Sequence, residues 1–227
     1  MKAVISSVAV LVALCGAASA DMVSTGPGGM SGGKLGTSAN GYLAISHTNV
    51  QRDSATITYT VVGGDIPAID ALFDPDNAVF ATNTAVDLGL PSGTPVTMTA
   101  VGWDVTLTTF GFSWLSDMTV YWDDNITPDG FGLFVTPGFA DIGGGTNVFR
   151  SSGGMIDLSD NAIPDILMPD GVMRWEFFDT FQDDVDGVPE GVWVQGSQFH
   201  FTFEYVPAPG SLALVGLAGL AAGRRRR

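Results

Sequence analysis

The chain has almost no cysteine and little histidine. Its one cysteine, Cys15, lies in an apolar stretch near the N-terminus, so residues 21–227 contain no thiol. Disulfides, cysteine nucleophiles and thiolate metal sites all require a thiol, and this part of the chain can therefore form none of them. The two histidines, His47 and His200, are too few for a histidine-rich metal site.

Positive charge is also scarce between the two ends. Residues 21–206 contain all 24 acidic residues but four basic ones, a net charge of −20 against −15 for the whole chain. Such a surface repels nucleic acid and anionic lipid and attracts cations. The charge therefore predicts a protein without a nucleic-acid partner. The four basic residues are Lys34, Arg52, Arg150 and Arg174.

Motifs for common enzymatic chemistry are missing. The sequence has no Gly-x-Ser-x-Gly, no phosphate-binding loop and no basic patch with interleaved aromatics. Glu176 has Trp175 and Phe177 as neighbours that could desolvate it, but strand alternation places it on the opposite face from them. We therefore expect no catalytic residues and a protein that is not an enzyme, with a secreted hydrolase as an alternative.

Period-two alternation predicts strands along most of the chain. Residues 54–62 alternate Ile and Tyr with Thr, and residues 199–205 place three phenylalanines on one face and His200 on the other. Residues 94–109 and 112–122 form a predicted hairpin around Gly111. Residues 156–168 have room for a turn or two of helix, limited by Pro164 and Pro169.

Many short strands separated by Gly, Pro and Asp turns predict an all-β fold. We expect a single β-sandwich or jelly-roll-like domain over residues 41–205, preceded by a flexible Gly- and Ser-rich arm at 21–40. About 185 residues is a sufficient size for one domain with a core of its own.

Residues 183–191 place four carboxylates and two glycines in one predicted loop. Several oxygen ligands around a tight turn suit a hard cation such as calcium. The sequence thus predicts a candidate calcium site, with no other cofactor, although a solvated acidic turn explains the same residues. A second acidic cluster lies at 123–130, and neither has EF-hand spacing. The candidate ligands are Asp183, Asp184, Asp186 and Glu190.

Five tryptophans suggest a second alternative, a carbohydrate-binding module for exopolysaccharide. Aromatic rings can stack on sugars, but they also fill sandwich cores. An exposed coplanar pair would favour sugar binding, and five buried rings would remove the argument. The tryptophans are Trp103, Trp114, Trp122, Trp175 and Trp193.

Residues 1–20 have the pattern of a secretory signal peptide. Lys2 supplies the positive region, residues 3–16 the apolar region, and Ala18 and Ala20 the small residues before a cleavage site at Asp21. We expect signal peptidase to remove this segment. Leu14 is too bulky for the position before a lipid-modified cysteine, so Cys15 does not indicate a lipoprotein.

Residues 206–227 combine a Pro-x-Pro motif, an apolar stretch and a basic cluster. The prolines end the preceding strand pattern, lipid would accept residues 212–222 as a helix, and terminal arginines stay on the cytoplasmic side of a membrane. Residues 211–223 span about 20 Å as a helix, short of the roughly 30 Å of a hydrocarbon core, which disfavours a permanent anchor. The residues are Val206, Pro207, Ala208, Pro209, Arg224, Arg225, Arg226 and Arg227.

This order of features resembles a PEP-CTERM sorting signal. The family usually has Glu where this chain has Ala208, and the resemblance covers about a tenth of the chain. It implies processing by an exosortase, an integral-membrane enzyme, after transient membrane insertion of the tail. We therefore expect a protein exported through the inner membrane to the cell surface or extracellular matrix.

Overall fold

The computed structural model describes residues 43–48, 53–128, 131–151, 154–181 and 187–206, together with the backbone of 36–37. The strands are β1 (Gly36–Thr37), β2 (Leu43–Thr48), β3 (Ser54–Val61), β4 (Ile66–Ala68), β5 (Ala78–Asn83), β6 (Val96–Thr109), β7 (Met118–Asp124), β8 (Leu133–Val135), β9 (Thr146–Arg150), β10 (Ile156–Asp157), β11 (Ile166–Met168), β12 (Val172–Asp179), β13 (Gly191–Trp193) and β14 (Gln198–Tyr205). One short helix, α1 (Thr84–Asp87), and a 3₁₀ turn (Ser159–Asn161) complete the described elements.

The strands form two antiparallel sheets, which confirms the all-β prediction. The large sheet runs β1-β2-β3-β14-β6. Beyond the end of β14, the same edge of β6 pairs with β13, which in turn pairs with β4. The other edge of β6 pairs with β9, β10 and β11. The small sheet runs β5-β12-β7-β8. Their inner faces meet in one hydrophobic core, an arrangement that fits a β-sandwich.

The core between the sheets is aromatic. Trp122 and Trp175 of the small sheet meet Phe199 and Phe201 of the large sheet edge to face, with Trp122 and Phe201 ring centroids 5.0 Å apart. These side chains are fully buried because alternation directs them inward from β7, β12 and β14. Edge-to-face pairs at this separation have favourable ring electrostatics as well as buried area.

Most predicted strands lie where expected, but the predicted hairpin is wrong. Residues 110–117 form a loop, and β7 begins at Met118 in the small sheet, whereas β6 belongs to the large sheet. The chain crosses between the sheets here, so β6 and β7 belong to different sheets instead of pairing. The 156–168 segment contains one 3₁₀ turn between β10 and β11, and α1 was not predicted.

The sequence pattern predicts one strand over residues 192–205, but the structure divides it into β13 and β14. Gly196 adopts a positive φ of 96° within the turn between β13 and β14, where a glycine has no steric penalty. β14 lies between β3 and β6, so His200 is on a central strand of the large sheet and not on an edge.

Candidate functional site

The predicted calcium loop is described only at its C-terminal end. Asp183, Asp184 and Asp186 lie outside the described residues, so the ligand set as a whole stays a prediction. Glu190 is buried at 2% exposure, and its Oε2 accepts a hydrogen bond from the Ser113 hydroxyl at 3.4 Å. It therefore contacts the β6–β7 loop.

A carboxylate cluster that the sequence did not single out lies in the β4–β5 loop. One carboxylate oxygen from each of Asp70, Asp74 and Asp76 falls within 4.8 Å of the others. The Gly187 amide donates to Asp70 Oδ2 at 3.0 Å, so the predicted calcium loop contacts this cluster at Gly187. Converging carboxylate oxygens suit a hard cation, which normally takes six to eight oxygen ligands. The spacing of Asp70, Asp74 and Asp76 on either side of a turn was the available signal.

The second acidic cluster is partly described. Asp124 Oδ1 accepts the amides of Ile126 and Thr127, each at 2.7 Å, which closes a local turn. The Tyr121 hydroxyl donates to Asp123. Asp129 lies outside the described residues. Local hydrogen bonds thus account for the two described carboxylates of this cluster.

Glu176 is on the outer face of the small sheet, as alternation predicts, yet it is completely buried. Arg174 Nη2 donates to Glu176 Oε2 at 2.5 Å, and the Phe73 amide and Asn77 Nδ2 donate to Oε1 at 2.5 and 3.1 Å. The β4–β5 loop therefore covers this face and completes the hydrogen bonding of a buried carboxylate. The three hydrogen bonds give Glu176 a structural role.

The covering loop carries backbone strain at Phe73. This residue has a φ of 68°, uncommon for a non-glycine residue and costing about 1–3 kcal/mol. In that conformation its amide reaches Glu176, its ring contacts Tyr121 edge to face at 5.9 Å, and Arg174 lies over the ring at 5.9 Å. These contacts over-determine the strained residue and fix the loop on the sheet.

The tryptophans divide between core and surface. Trp122, Trp175 and Trp193 are fully buried, and Trp103 is partly buried against the core. Trp114 is 48% exposed. Among the described tryptophans, Trp114 is thus the one exposed ring. The tryptophans therefore do not form an exposed coplanar pair, and they are not all buried either.

Trp114 belongs to a larger group of exposed apolar side chains in three loops. We call this group the aromatic end. The residues come from the β6–β7, β8–β9 and β12–β13 loops, and sequence analysis missed them as a site. The signal was the spacing of three aromatics in a short loop next to Gly111. The members are Phe110, Phe112, Trp114, Phe139, Ile142, Phe181 and Val188.

Further titratable groups occupy structural positions. The buried Tyr59 hydroxyl donates to Asp87 Oδ2 at 2.9 Å, and His47 Nε2 contacts the Asp87 carbonyl, which attaches α1 to the large sheet. Burial raises the pKa of Asp87 and raises that of Tyr59 well above its usual value. His200 Nδ1 lies 2.8 Å from the Thr58 hydroxyl, and burial lowers the pKa of His200.

The predicted processing segments lie almost wholly outside the described residues. This applies to Ala18, Ala20 and Asp21 and to residues 207–227 of the tail. Val206, the first tail residue, follows β14 directly and is 81% exposed. Within the described ranges, every helix is too short or too polar to cross a membrane.

Comparison with known proteins adds no assignment: no protein-family model and no curated protein sequence matches this chain.

Proposed function

We propose that this chain is a non-enzymatic exported protein of the cell surface or extracellular matrix, sorted by an exosortase through residues 206–227. The observation that carries the proposal is the order of the Pro-x-Pro motif, apolar segment and arginine cluster directly after the last strand of the domain. The exposure of Val206 supports access of a membrane enzyme to the motif. The two-sheet fold, which we propose to be a jelly-roll-like sandwich, is compatible with this role but does not specify it.

The composition of the domain supports export. Residues 21–206 contain no cysteine and carry a net charge of −20, so the domain needs no thiol chemistry and remains soluble through its charge. The PEP-CTERM assignment also implies the two processing partners, signal peptidase and exosortase, and a transient membrane-inserted state of the tail. Calcium bound by the 183–190 loop is a separate prediction that would stabilise the exported domain.

Variants of the tail in the producing cell test this proposal. Replacing Pro207 and Pro209 together with alanine should leave the tail uncut, and the protein should accumulate in the inner-membrane fraction. Replacing Arg224 to Arg227 with serine should impair retention of the tail end in the cytoplasm, because the charge that holds it there is lost. Subcellular fractionation with an antibody against the domain reports both effects.

The matched control replaces the same four arginines with lysine, which keeps the charge. This variant should fractionate like the original protein if the cluster acts through charge alone. An identical distribution of the proline, serine and lysine variants and the original protein would contradict exosortase sorting.

A further inference from the structure

Three loops meet at the end of the molecule where the aromatic end lies. The Leu115 amide donates to Gly143 O at 2.9 Å and the Ser116 amide to Asp141 O at 3.0 Å, which joins the β6–β7 loop to the β8–β9 loop. The Phe110 amide donates to Glu190 O at 2.8 Å, which joins the β12–β13 loop to the same group. The three loops that carry these exposed apolar side chains are therefore hydrogen-bonded to one another at one end of the molecule.

The loops are closely packed beneath this surface. A Cβ added at Gly138 would lie 2.4 Å from Leu115 O, so only a glycine allows the two loops this approach. The buried Ser113 and Glu190 side chains form a polar contact under the same loop. The aromatic side chains are thus presented by a fixed base. Phe112 is the most exposed of these side chains, at 85%.

The tail leaves the domain at the opposite end. β6 ends at Thr109, next to the aromatic end, and begins at Val96, which pairs with Tyr205 at the end of β14. The 14 residues of β6 correspond to roughly 45 Å of strand. If the tail holds the protein at a membrane, the aromatic end points away from that membrane.

Charge discriminates between the occupants that an apolar surface could accept. The two described arginines are engaged elsewhere, Arg150 with Asp104 and Arg174 with Glu176, so the described part of the aromatic end contains no cation. Anionic lipids and polyanions would be repelled by the −20 charge of residues 21–206. A second copy would bring the same charge within a Debye length, about 10 Å at 0.1 M salt.

An uncharged ligand meets no such repulsion. The exposed rings provide apolar surface for stacking. The half-buried Asp141 carboxylate beside them accepts from the Gly143 amide and Asn147 Nδ2 and, with about four acceptor sites in all, can also accept from hydroxyl groups. Sugar rings combine an apolar C–H face with hydroxyl donors at the edge, which matches both parts of this surface. We propose that the aromatic end is a docking surface for a neutral polysaccharide, with Phe112 and Trp114 as its stacking residues. The proposal rests on the export proposed above for access to that polysaccharide.

Affinity electrophoresis of the protein recovered from the producing cells tests this surface. Native gels would contain hydroxyethyl cellulose, a galactomannan or the neutral polysaccharide fraction of the same cells. The original protein should be retarded in at least one gel, and Phe112→Ala and Trp114→Ala should each weaken the apparent Kd about tenfold or more. Phe131→Ala is the matched control, because Phe131 is 84% exposed but lies in the β7–β8 loop at the opposite end.

The control should behave like the original protein, and all variants should keep the same urea unfolding midpoint. Absence of retardation in all three gels, or equal retardation of all variants, would overturn the proposal. Loss of self-association or of phosphatidylcholine-vesicle binding in Trp114→Ala, without retardation of the original protein, would assign the surface to a second copy or to lipid instead. The assay uses the recovered protein with either processed or unprocessed termini. A failure to bind polysaccharide is therefore distinguishable from a failure of tail processing.

Discussion

The outer faces of the two sheets follow the same strand alternation but have different surroundings. On the large sheet the outward side chains include Thr56, Thr58 and Thr60 of β3, which are only partly buried. On the small sheet the outward side chains Thr119 and Glu176 are at most 1% exposed. The β4–β5 loop lies over Glu176 and accounts for its burial.

Because of this difference, an ion pair should contribute differently to the free energy of unfolding on each face. An ion pair on the large sheet, Arg150 with Asp104, has side chains 70% and 42% exposed. The pair on the small sheet, Arg174 with Glu176, has side chains 18% and 0% exposed. Water screens the first pair but not the second, so we expect the covered face to contribute more to stability.

The largest expected effect is loss of the buried ion pair. Arg174→Met should lower the free energy of unfolding by about 3 kcal/mol or more, because Glu176 would remain buried without its cation. Arg150→Met is the matched control and should cost at most about 1 kcal/mol. Urea denaturation measures both, and equal losses would show that the two faces are equally hydrated.

A smaller effect is expected from hydroxyl pairs on the same two faces. Thr119 and Thr136 hydroxyls lie 2.7 Å apart on the small sheet, and Thr108 and Thr146 hydroxyls 2.8 Å apart on the large sheet. Thr119→Val should cost about 2 kcal/mol, because it removes a hydrogen bond at a buried position. Thr108→Val should change the unfolding free energy by less than about 0.5 kcal/mol, since water replaces its partner. A larger loss of stability for Thr108→Val than for Thr119→Val, in thermal or urea unfolding, would contradict the conclusion that the outer face of the small sheet is shielded from water.

Calcium should stabilise the protein by binding to the loops next to the outer face of the small sheet. If the 183–190 loop binds calcium, a concentration ten times the Kd adds about 1.4 kcal/mol of stability and raises the melting temperature. Differential scanning fluorimetry with millimolar calcium and a magnesium control measures this shift. Replacing Asp183, Asp184 and Asp186 with asparagine should remove it, and Asp76→Asn reports whether the β4–β5 cluster contributes. No shift at millimolar calcium would reject the calcium site.

The smallest expected effect is a pH dependence on the large sheet. Burial lowers the pKa of His200 in the folded protein, so the unfolded chain binds a proton first as the pH falls. Stability contributed by neutral His200 is therefore complete above about pH 6.5 and decreases as the pH falls toward the lowered folded pKa. Urea unfolding at pH 7.5 and 5.5 should show a smaller decrease for His200→Gln than for the original protein. An equal decrease would show that other groups carry the whole pH dependence.

The comparison of the two faces also shows what could be predicted from the sequence. Alternation in Ser54–Val61 and Gln198–Tyr205 correctly predicted two strands and their inward side chains, because one face of each packs on the core. The same alternation placed Glu176 on an outer face but could not reveal its burial. A covering loop is a long-range contact, and a local period contains no information about it.

The candidate site was less predictable for a related reason. The strand-like stretches 94–109 and 112–122 on either side of Gly111 predict a hairpin, but the chain uses residues 110–117 to cross from β6 to β7. The aromatic residues of 110–117 consequently lie on loops instead of in the core. The Asp70, Asp74 and Asp76 group likewise depends on how the β4–β5 loop folds back over the small sheet.

The measurement that most directly tests the central claim, export and sorting through the tail, is the intact mass of the protein recovered from the cell envelope and medium. The account predicts a species that begins at Asp21 and ends between Pro207 and Gly210, with both processing segments removed. A species that retains Arg224 to Arg227 would contradict exosortase processing, and the protein would then be a membrane-tethered one.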